Sequence, residues 1–153
     1  YLQNECSIMA ITQTTCTSFK VELFKGEHDF DSHTFKIALY TSSATLGATT
    51  TAYSSTNEIT NTSGSAYSAT GKALTLASTF PKASGTTALV DFDNVQWASA
   101  TFTARGALIY NDSHSSKAAV AVLDFGGDRS ASNSTVEIQF PIADASSAIL
   151  RIT

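Results

Sequence analysis

Apolar and polar residues alternate along most of the chain, which is the periodicity of β-strands. The alternation is clearest in residues 34–40, where Phe35, Ile37 and Leu39 fall on one face. Six further segments show a similar pattern and are separated by turn residues: 73–80, 87–92, 95–97 continuing through 101–110, 118–125, 135–140 and 147–152. Many short strands at near-regular spacing predict an all-β fold, a single jelly-roll-like antiparallel β-sandwich over residues 17–153.

One segment near the N-terminus has a different period. Within residues 17–26, Phe19 and Leu23 lie at helical spacing, a Thr or Ser is available as the N-cap, and Gly26 stands where glycine commonly ends a helix. The sequence therefore predicts one short N-terminal helix.

Two places in the strand pattern carry further information. Residues 118–125 are apolar on both faces, which predicts a central strand or one whose outer face a neighbouring subunit covers. Around residues 91–94 the inward positions change parity between Phe92 and Val95, so a bulge or tight turn is expected there. Trp97 follows the inward parity of Val95 and is expected in the core.

Residues 1–16 are expected to form an N-terminal arm ordered on a partner surface. The only two cysteines, Cys6 and Cys16, lie there; free thiols are the favoured interpretation and a disulfide between them is the alternative. No secretory signal is recognisable. Met9 stands where a translation start would be expected, which would make residues 1–8 an extension or a processing remnant.

Charge and the length of the apolar runs argue against two classes of partner, nucleic acids and membranes. Charged residues make up 14% of the chain and the formal net charge is −4, whereas about 25% is average for soluble domains. The basic residues are scattered rather than clustered, so a nucleic-acid partner is not expected. No apolar run approaches the length needed to cross a bilayer, and no membrane association is predicted.

Candidate chemistry is sparse. Residues 27–33, Glu-His-Asp-Phe-Asp-Ser-His, hold several potential metal ligands, but zinc sites usually draw ligands from separate elements, so a solvated loop is favoured over a metal site. His28, His33 and His114 are possible bases for a hydrolase, although no Gly-x-Ser-x-Gly motif is present. The Asp-Phe-Gly beginning at Asp124 lacks every other kinase motif. We therefore predict a non-enzymatic protein without metal or cofactor.

Four residues are candidates for contact with a partner or ligand. Tyr53 and Tyr67 lie in loops rich in Ser and Thr, where exposed aromatic rings are available to stack on sugars or partner surfaces. Residues 126–134 are predicted to be a loop between two strands, begun by a glycine turn, with Asp128 and Arg129 as its charged tips.

An ordered series of phrases resembles a known family. These phrases are Thr34-Phe-Lys-Ile-Ala-Leu-Tyr-Thr-Ser-Ser43, Ser55-Thr-Asn-Glu-Ile59, Ala66-Tyr-Ser-Ala-Thr-Gly-Lys-Ala-Leu74, Val90-Asp-Phe-Asp-Asn-Val-Gln-Trp97, Phe102-Thr-Ala-Arg-Gly-Ala-Leu-Ile-Tyr110, Val122-Leu-Asp-Phe-Gly-Gly-Asp128 and Ile138-Gln-Phe-Pro141. In this order they resemble a widespread group of tailed-bacteriophage virion structural proteins, often assigned to capsid decoration. The resemblance covers about residues 17–153.

The resemblance implies a non-enzymatic virion component that is made in the cytoplasm of the infected bacterium and assembled on the particle. The leading expectation is a capsid decoration, or cement, protein that binds the major capsid protein through its arm and one sandwich edge, as a homotrimer. The alternative is a receptor-binding module at a tail-fibre or spike tip. In that case the loops with Tyr53, Tyr67 and residues 113–117 would contact a glycan on the host surface.

Overall fold

Eight strands and one helix run through the part of the chain that this computed structural model describes, residues 10–60 and 65–153. In chain order they are β1 (Thr14–Thr15), α1 (Thr17–Lys25), β2 (Phe35–Tyr40), β3 (Lys72–Ala73), β4 (Lys82–Ser84), β5 (Thr87–Val90), β6 (Val95–Asn111), β7 (Ala119–Ile138) and β8 (Leu150–Ile152). The all-β prediction with one short helix is confirmed.

The strands form two antiparallel sheets that pack together. One sheet has the order β1-β7-β6-β2-β3 and the other the order β4-β5-β8. Apolar side chains from both sheets and from α1 share one core. This is the sandwich that the sequence predicts, while the jelly-roll strand order stays a prediction.

The helix α1 begins and ends close to the predicted positions. Gly26 adopts the left-handed conformation with φ 73° and closes the C-terminus, as predicted. The N-cap is Cys16 rather than a Thr or Ser, and its side chain makes no capping hydrogen bond. Cys16 is instead fully buried with Phe19, so packing rather than capping fixes this end of the helix.

The strand expected to be central is central. The first part of β7 lies between β1 and β6, and residues 118–122 are all buried. The chain's own α1 packs on this strand, and the Cys16 N–H donates to the Val120 carbonyl at 2.9 Å. A neighbouring subunit is therefore not needed to cover this apolar stretch.

The expected break before β6 is also present. β5 ends at Val90 and β6 begins at Val95, while Phe92 between them is buried. Trp97 is 5% exposed and packs near Tyr67, with ring centroids 6.1 Å apart, which confirms its predicted place in the core.

The predicted loop at residues 126–134 is wrong, because β7 continues through it as far as Ile138. Asp124 pairs with Gly106 and Arg129 pairs with Ala104, so residues 125–128 stand opposite a single residue of β6 as a large bulge. Gly126 has φ 73°, as the glycine-turn prediction requires. Beyond the bulge the Ser-rich sequence forms a strand whose hydroxyl groups are exposed. Its composition is that of a loop, which is why the sequence predicted one.

Other strand boundaries differ from the predictions. Of the predicted strand at residues 73–80, only the start is paired, as β3, and Leu76 makes a single isolated bridge to Phe92. β4 was not predicted, because its three residues are all exposed and carry no hydrophobic pattern. The last predicted strand is shortened to Leu150–Ile152.

The predictions for Cys6, Met9 and the start of the arm lie outside the described residues. The described end of the arm is anchored to the sheet at two points. β1 pairs with Ala121 and Val122 of β7, and Ile11 forms a parallel bridge to Leu46.

Candidate functional site

Tyr53 and Tyr67, which the sequence singles out separately, meet at one carboxylate. Both hydroxyls donate to Glu58 at 2.6 Å, Tyr53 to Oε2 and Tyr67 to Oε1. Tyr67 is 1% exposed and its hydroxyl also accepts from the Leu39 N–H at 3.0 Å. The prediction that Tyr67 is available to a partner is therefore wrong, because its polar end is needed inside the core. Tyr53 is half-buried and stacks on Tyr110, with centroids 4.8 Å apart.

Glu58 is the centre of this cluster and is only 8% exposed. Among the described residues it forms no ion pair, so the two phenols provide the hydrogen bonds that a buried carboxylate requires. Burial first, and then the hydrogen bond to Glu58, raises the pKa of Tyr67 and of Tyr53 far above the usual value. Both phenols therefore keep their donated proton at neutral pH.

The sequence gives little sign of this cluster. Glu58 follows a long uncharged stretch, which marks it as the only carboxylate in that part of the chain. Its partners, however, come from both sides of it and belong to the same core only after the sheet has formed. Tyr40 shows the same effect: burial and the Glu58 charge raise its pKa, and its hydroxyl donates to the Ser54 carbonyl at 2.7 Å.

A small pocket of about 190 Å³ opens beside Glu58. Four threonines, Ile59 and Phe102 complete its lining; the threonines are Thr41, Thr60, Thr101 and Thr103. Hydroxyl groups around a carboxylate, next to an aromatic ring, can hydrogen-bond a small polyhydroxylated molecule.

Arg129 borders a larger, open groove of about 530 Å³ that follows β7. The groove floor is apolar and is formed mainly by Phe102, Leu123, Phe125, Val136, Ile138 and Phe140. Arg129 closes the bulge by donating from Nη2 to the Phe125 carbonyl at 3.0 Å. Asp128 is exposed on the bulge itself. Both predicted charged tips thus lie on a strand rather than on a loop, and Arg129 lines the groove.

Charges at the groove are paired on its β6 side. The Arg105 Nε donates to Asp124 Oδ1 at 3.2 Å, and the Gly126 N–H donates to the same oxygen at 2.9 Å. The Gly126 N–H first, and then the Arg105 guanidinium, lower the pKa of Asp124. Asp124 therefore stays ionised and holds the bulge in place.

Beside the groove, β7 has an open edge. β1 pairs with β7 only at Ala121 and Val122, and the Gln13 Oε1 accepts the next available N–H, that of Asp124, at 3.3 Å. From residue 125 to 138 the outer edge of β7 has no strand partner in the described part of the chain. Such an edge can accept another extended segment by backbone hydrogen bonding.

The acidic and histidine-rich segment at residues 27–33 is only partly the solvated loop that was predicted. Asp29 and Asp31 are exposed, but His28 is buried and its Nε2 lies 2.6 Å from Glu22 Oε2. In residues 10–60 and 65–153, no three His, Cys, Asp or Glu side chains are grouped so that they can hold a metal ion. Histidines 28 and 33 instead face the side chain of Asn111.

His114 lies between a serine and a carboxylate, as a hydrolase would require. Its Nδ1 is 2.9 Å from Ser116 Oγ and its Nε2 is 3.3 Å from Glu27 Oε2. The Ser116 N–H donates to the same Nδ1 at 3.3 Å, which makes the serine–histidine contact part of a local turn. Neither the groove nor the small pocket is lined by these residues.

Two exposed apolar side chains lie on one face of α1. Phe24 is 95% exposed and Val21, one turn earlier, is 51% exposed. No helix within the described residues has the length and apolar character to cross a bilayer.

Comparison of the chain with known protein families, with curated proteins and with solved structures finds no match.

Proposed function

We propose that this protein is a non-enzymatic structural component of a tailed-bacteriophage virion, most specifically a capsid decoration protein. In this proposal it is made in the cytoplasm of the host bacterium and binds the major capsid protein as a homotrimer. The ordered phrases over residues 17–153 support the family, and the open apolar groove beside the unpaired edge of β7 supports an associating protein.

The groove and the edge are the observations that carry the proposal. A neighbouring chain that adds an extended segment to the edge of β7 gains backbone hydrogen bonds, and its alternate side chains reach the apolar floor. Arg129 at the groove and Asp128 beside it on the bulge would set the polarity of that segment. Because a decoration protein binds the assembled shell and not its separated subunits, it stabilises the shell by mass action.

Heat resistance of particles tests the proposal. Particles lacking the protein should lose their genome at a lower temperature, and adding back the purified wild-type protein should restore the original temperature. The variant Val136→Lys places a charge on the groove floor and should restore much less of the heat resistance. Thr135→Lys is the matched control, because it adds the same charge at the next residue, on the exposed face of the strand. Unchanged heat resistance of particles without the protein would contradict a cementing role.

The small pocket beside Glu58 favours one alternative function, a receptor-binding module at a tail-fibre or spike tip that contacts host surface glycan. Its threonine hydroxyls and carboxylate offer hydrogen bonds to sugar hydroxyls, and Tyr53 lies against Glu58. The number of copies per particle distinguishes the two functions, because a shell protein is present in hundreds of copies and a tail-tip protein in a few symmetric sets. Glycan binding that is lost in Thr41→Val would support the alternative.

A further inference from the structure

All three histidines of the chain meet at the end of β6. The side-chain nitrogen of Asn111, a residue with 0% exposure, lies 3.0 Å from His28 Nδ1 and 2.9 Å from His33 Nδ1. The ring of His114 stacks on that of His28, with centroids 5.8 Å apart. These rings come from two segments far apart in sequence, the loop after α1 and the connection between β6 and β7.

The orientation of the Asn111 amide is fixed by a third contact. Its Oδ1 accepts the Ser113 N–H at 3.0 Å. Reversing the amide would place its NH2 group against that N–H, so Nδ2 must face the histidines. The amide nitrogen then donates one hydrogen to His28 and the other to His33.

This arrangement fixes the proton position on each ring. His33 Nδ1 accepts from Asn111 and also from the Asp29 N–H at 3.3 Å, so it carries a lone pair. His28 Nδ1 accepts from Asn111, which leaves its Nε2–H to donate to Glu22 Oε2. A proton added to either Nδ1 would face an N–H group and could not be accommodated without separating the two segments.

The ring of His114 has the same hydrogen-bond pattern, with partners other than the Asn111 side chain. Its Nδ1 accepts the Ser116 N–H and its Nε2–H points to Glu27 Oε2. The geometry therefore assigns the Nε2–H tautomer to all three rings.

We propose that Asn111 and its histidines form an acid-released latch. With both Nδ1 atoms unprotonated, the latch ties residues 27–33 to the end of β6. Proton uptake at His33, where two N–H donors converge, breaks this connection. The loop also carries Phe30, which stacks on Phe35 with centroids 4.3 Å apart, so its release exposes aromatic surface.

The Glu22 carboxylate accepts the Nε2–H of His28, whereas the Nδ1 of His33 receives two N–H donors. On the elements packed around the latch, the other charged groups among the described residues are Lys25 on α1, Glu27, Asp29 and Asp31 in the loop, Lys36 on β2, and Asp112 and Lys117 in the β6–β7 connection.

The pH window follows from the sign of the proton balance. Histidine side chains change charge between about pH 5 and 8. The folded latch excludes a proton that the unfolded chain binds, so stability is present at high pH and is lost as the pH falls. Asp29 and Asp112 have lowered pKa values, the first chiefly through the Ser32 hydroxyl and the second chiefly through Lys117, so their contributions are lost only in more acidic solution.

Denaturant unfolding at pH 7.5 and 5.5 tests the latch. For each ring kept unprotonated, we expect the unfolding equilibrium constant to rise about tenfold between these pH values, since an unfolded histidine titrates near pH 6.5. Amide hydrogens of residues 27–33 should exchange faster at pH 5.5, after correction for the intrinsic rate. An unfolding constant that is the same at both pH values would overturn the proposal.

Two variants separate the latch from general acid sensitivity. Asn111→Asp replaces the donor by an acceptor of the same shape, so stability should rise rather than fall as the pH drops. His33→Gln keeps a hydrogen-bond acceptor without a titrating proton. The ratio of the unfolding constants at pH 5.5 and pH 7.5 should therefore be about tenfold smaller than in the wild-type protein. If Asn111→Asp does not fold, His33→Gln decides, and an unchanged pH effect there refutes the latch. Nitrogen NMR of the wild-type protein at pH 7.5 gives an independent check, because an Nδ1–H tautomer at His33 would also refute it.

Discussion

Removing one oxygen atom from Tyr67 should destabilise the fold strongly. In Tyr67→Phe, Glu58 Oε1 loses a charge-assisted hydrogen bond, a change that typically costs about 1.5–3 kcal/mol. The Leu39 N–H, on a residue with 0% exposure, loses its acceptor at an added cost of about 1–3 kcal/mol. We therefore expect a loss of about 3–5 kcal/mol in the free energy of unfolding.

Tyr53→Phe is the matched control. It removes the other phenol bond to Glu58, on a ring that is half-buried rather than fully buried. We expect a loss of about 1–2 kcal/mol. Guanidinium unfolding followed by Trp97 fluorescence measures both values, with the slope checked for two-state behaviour. Equal losses in the two variants, or a loss below about 1 kcal/mol in Tyr67→Phe, would refute the assignment of Tyr67 as a core hydrogen-bonding residue.

Three further outcomes are expected. Gly71→Ala should be far more destabilising in thermal unfolding than Gly85→Ala, because both have positive φ but only at Gly71 would a Cβ overlap a backbone carbonyl, that of Ile37. Burial raises the pKa of Tyr110 to about 12, so spectrophotometric titration should show this residue still protonated at pH 11. Because unfolded tyrosine ionises near pH 10, the free energy of unfolding should fall as the pH rises above about 10. Burial raises the pKa of the Cys16 thiol to about 11, so its alkylation, followed by peptide mapping, should be much slower in the native than in the unfolded chain.

Strands with a clear apolar pattern, on one face or on both, were the most predictable elements. Residues 34–40 and 118–125 could be assigned because alternation or continuous apolarity reports burial directly, and both have their predicted roles in the main sheet. The helix end was equally clear, because the left-handed position at Gly26 strongly favours glycine. Local patterns therefore specified the elements that depend on local physics.

The second half of β7 could not be predicted in the same way. Its Ser-rich residues are exposed, and the side-chain groups that stabilise turns are acceptable on such a strand as well. What makes it a strand is pairing with β6, which is a long-range contact. The bulge at residues 125–128 added to the error, since a glycine turn is present but does not end the strand.

Candidate site residues were harder to predict than strands. The sequence marked Tyr53 and Tyr67 as aromatic residues in polar loops, but only the fold shows that both bind Glu58. The three histidines were considered as ligands or bases, and Asn111, the common partner of His28 and His33, was missed because an asparagine near the end of a strand is usually a turn residue. Hydrogen bonds between distant segments leave no periodic signal in the sequence.

The order of the strands along the chain also determines when each strand can pair during synthesis on the ribosome. Lys36 of β2 pairs with Tyr110 of β6, so β2 leaves the ribosome well before its partner strand exists. β6 and β7, in contrast, are joined only by residues 112–118 and can pair as soon as both have emerged. We expect the native sheet to assemble from the β6–β7 ribbon towards β2, leaving the apolar β2 exposed to chaperones until β6 has emerged.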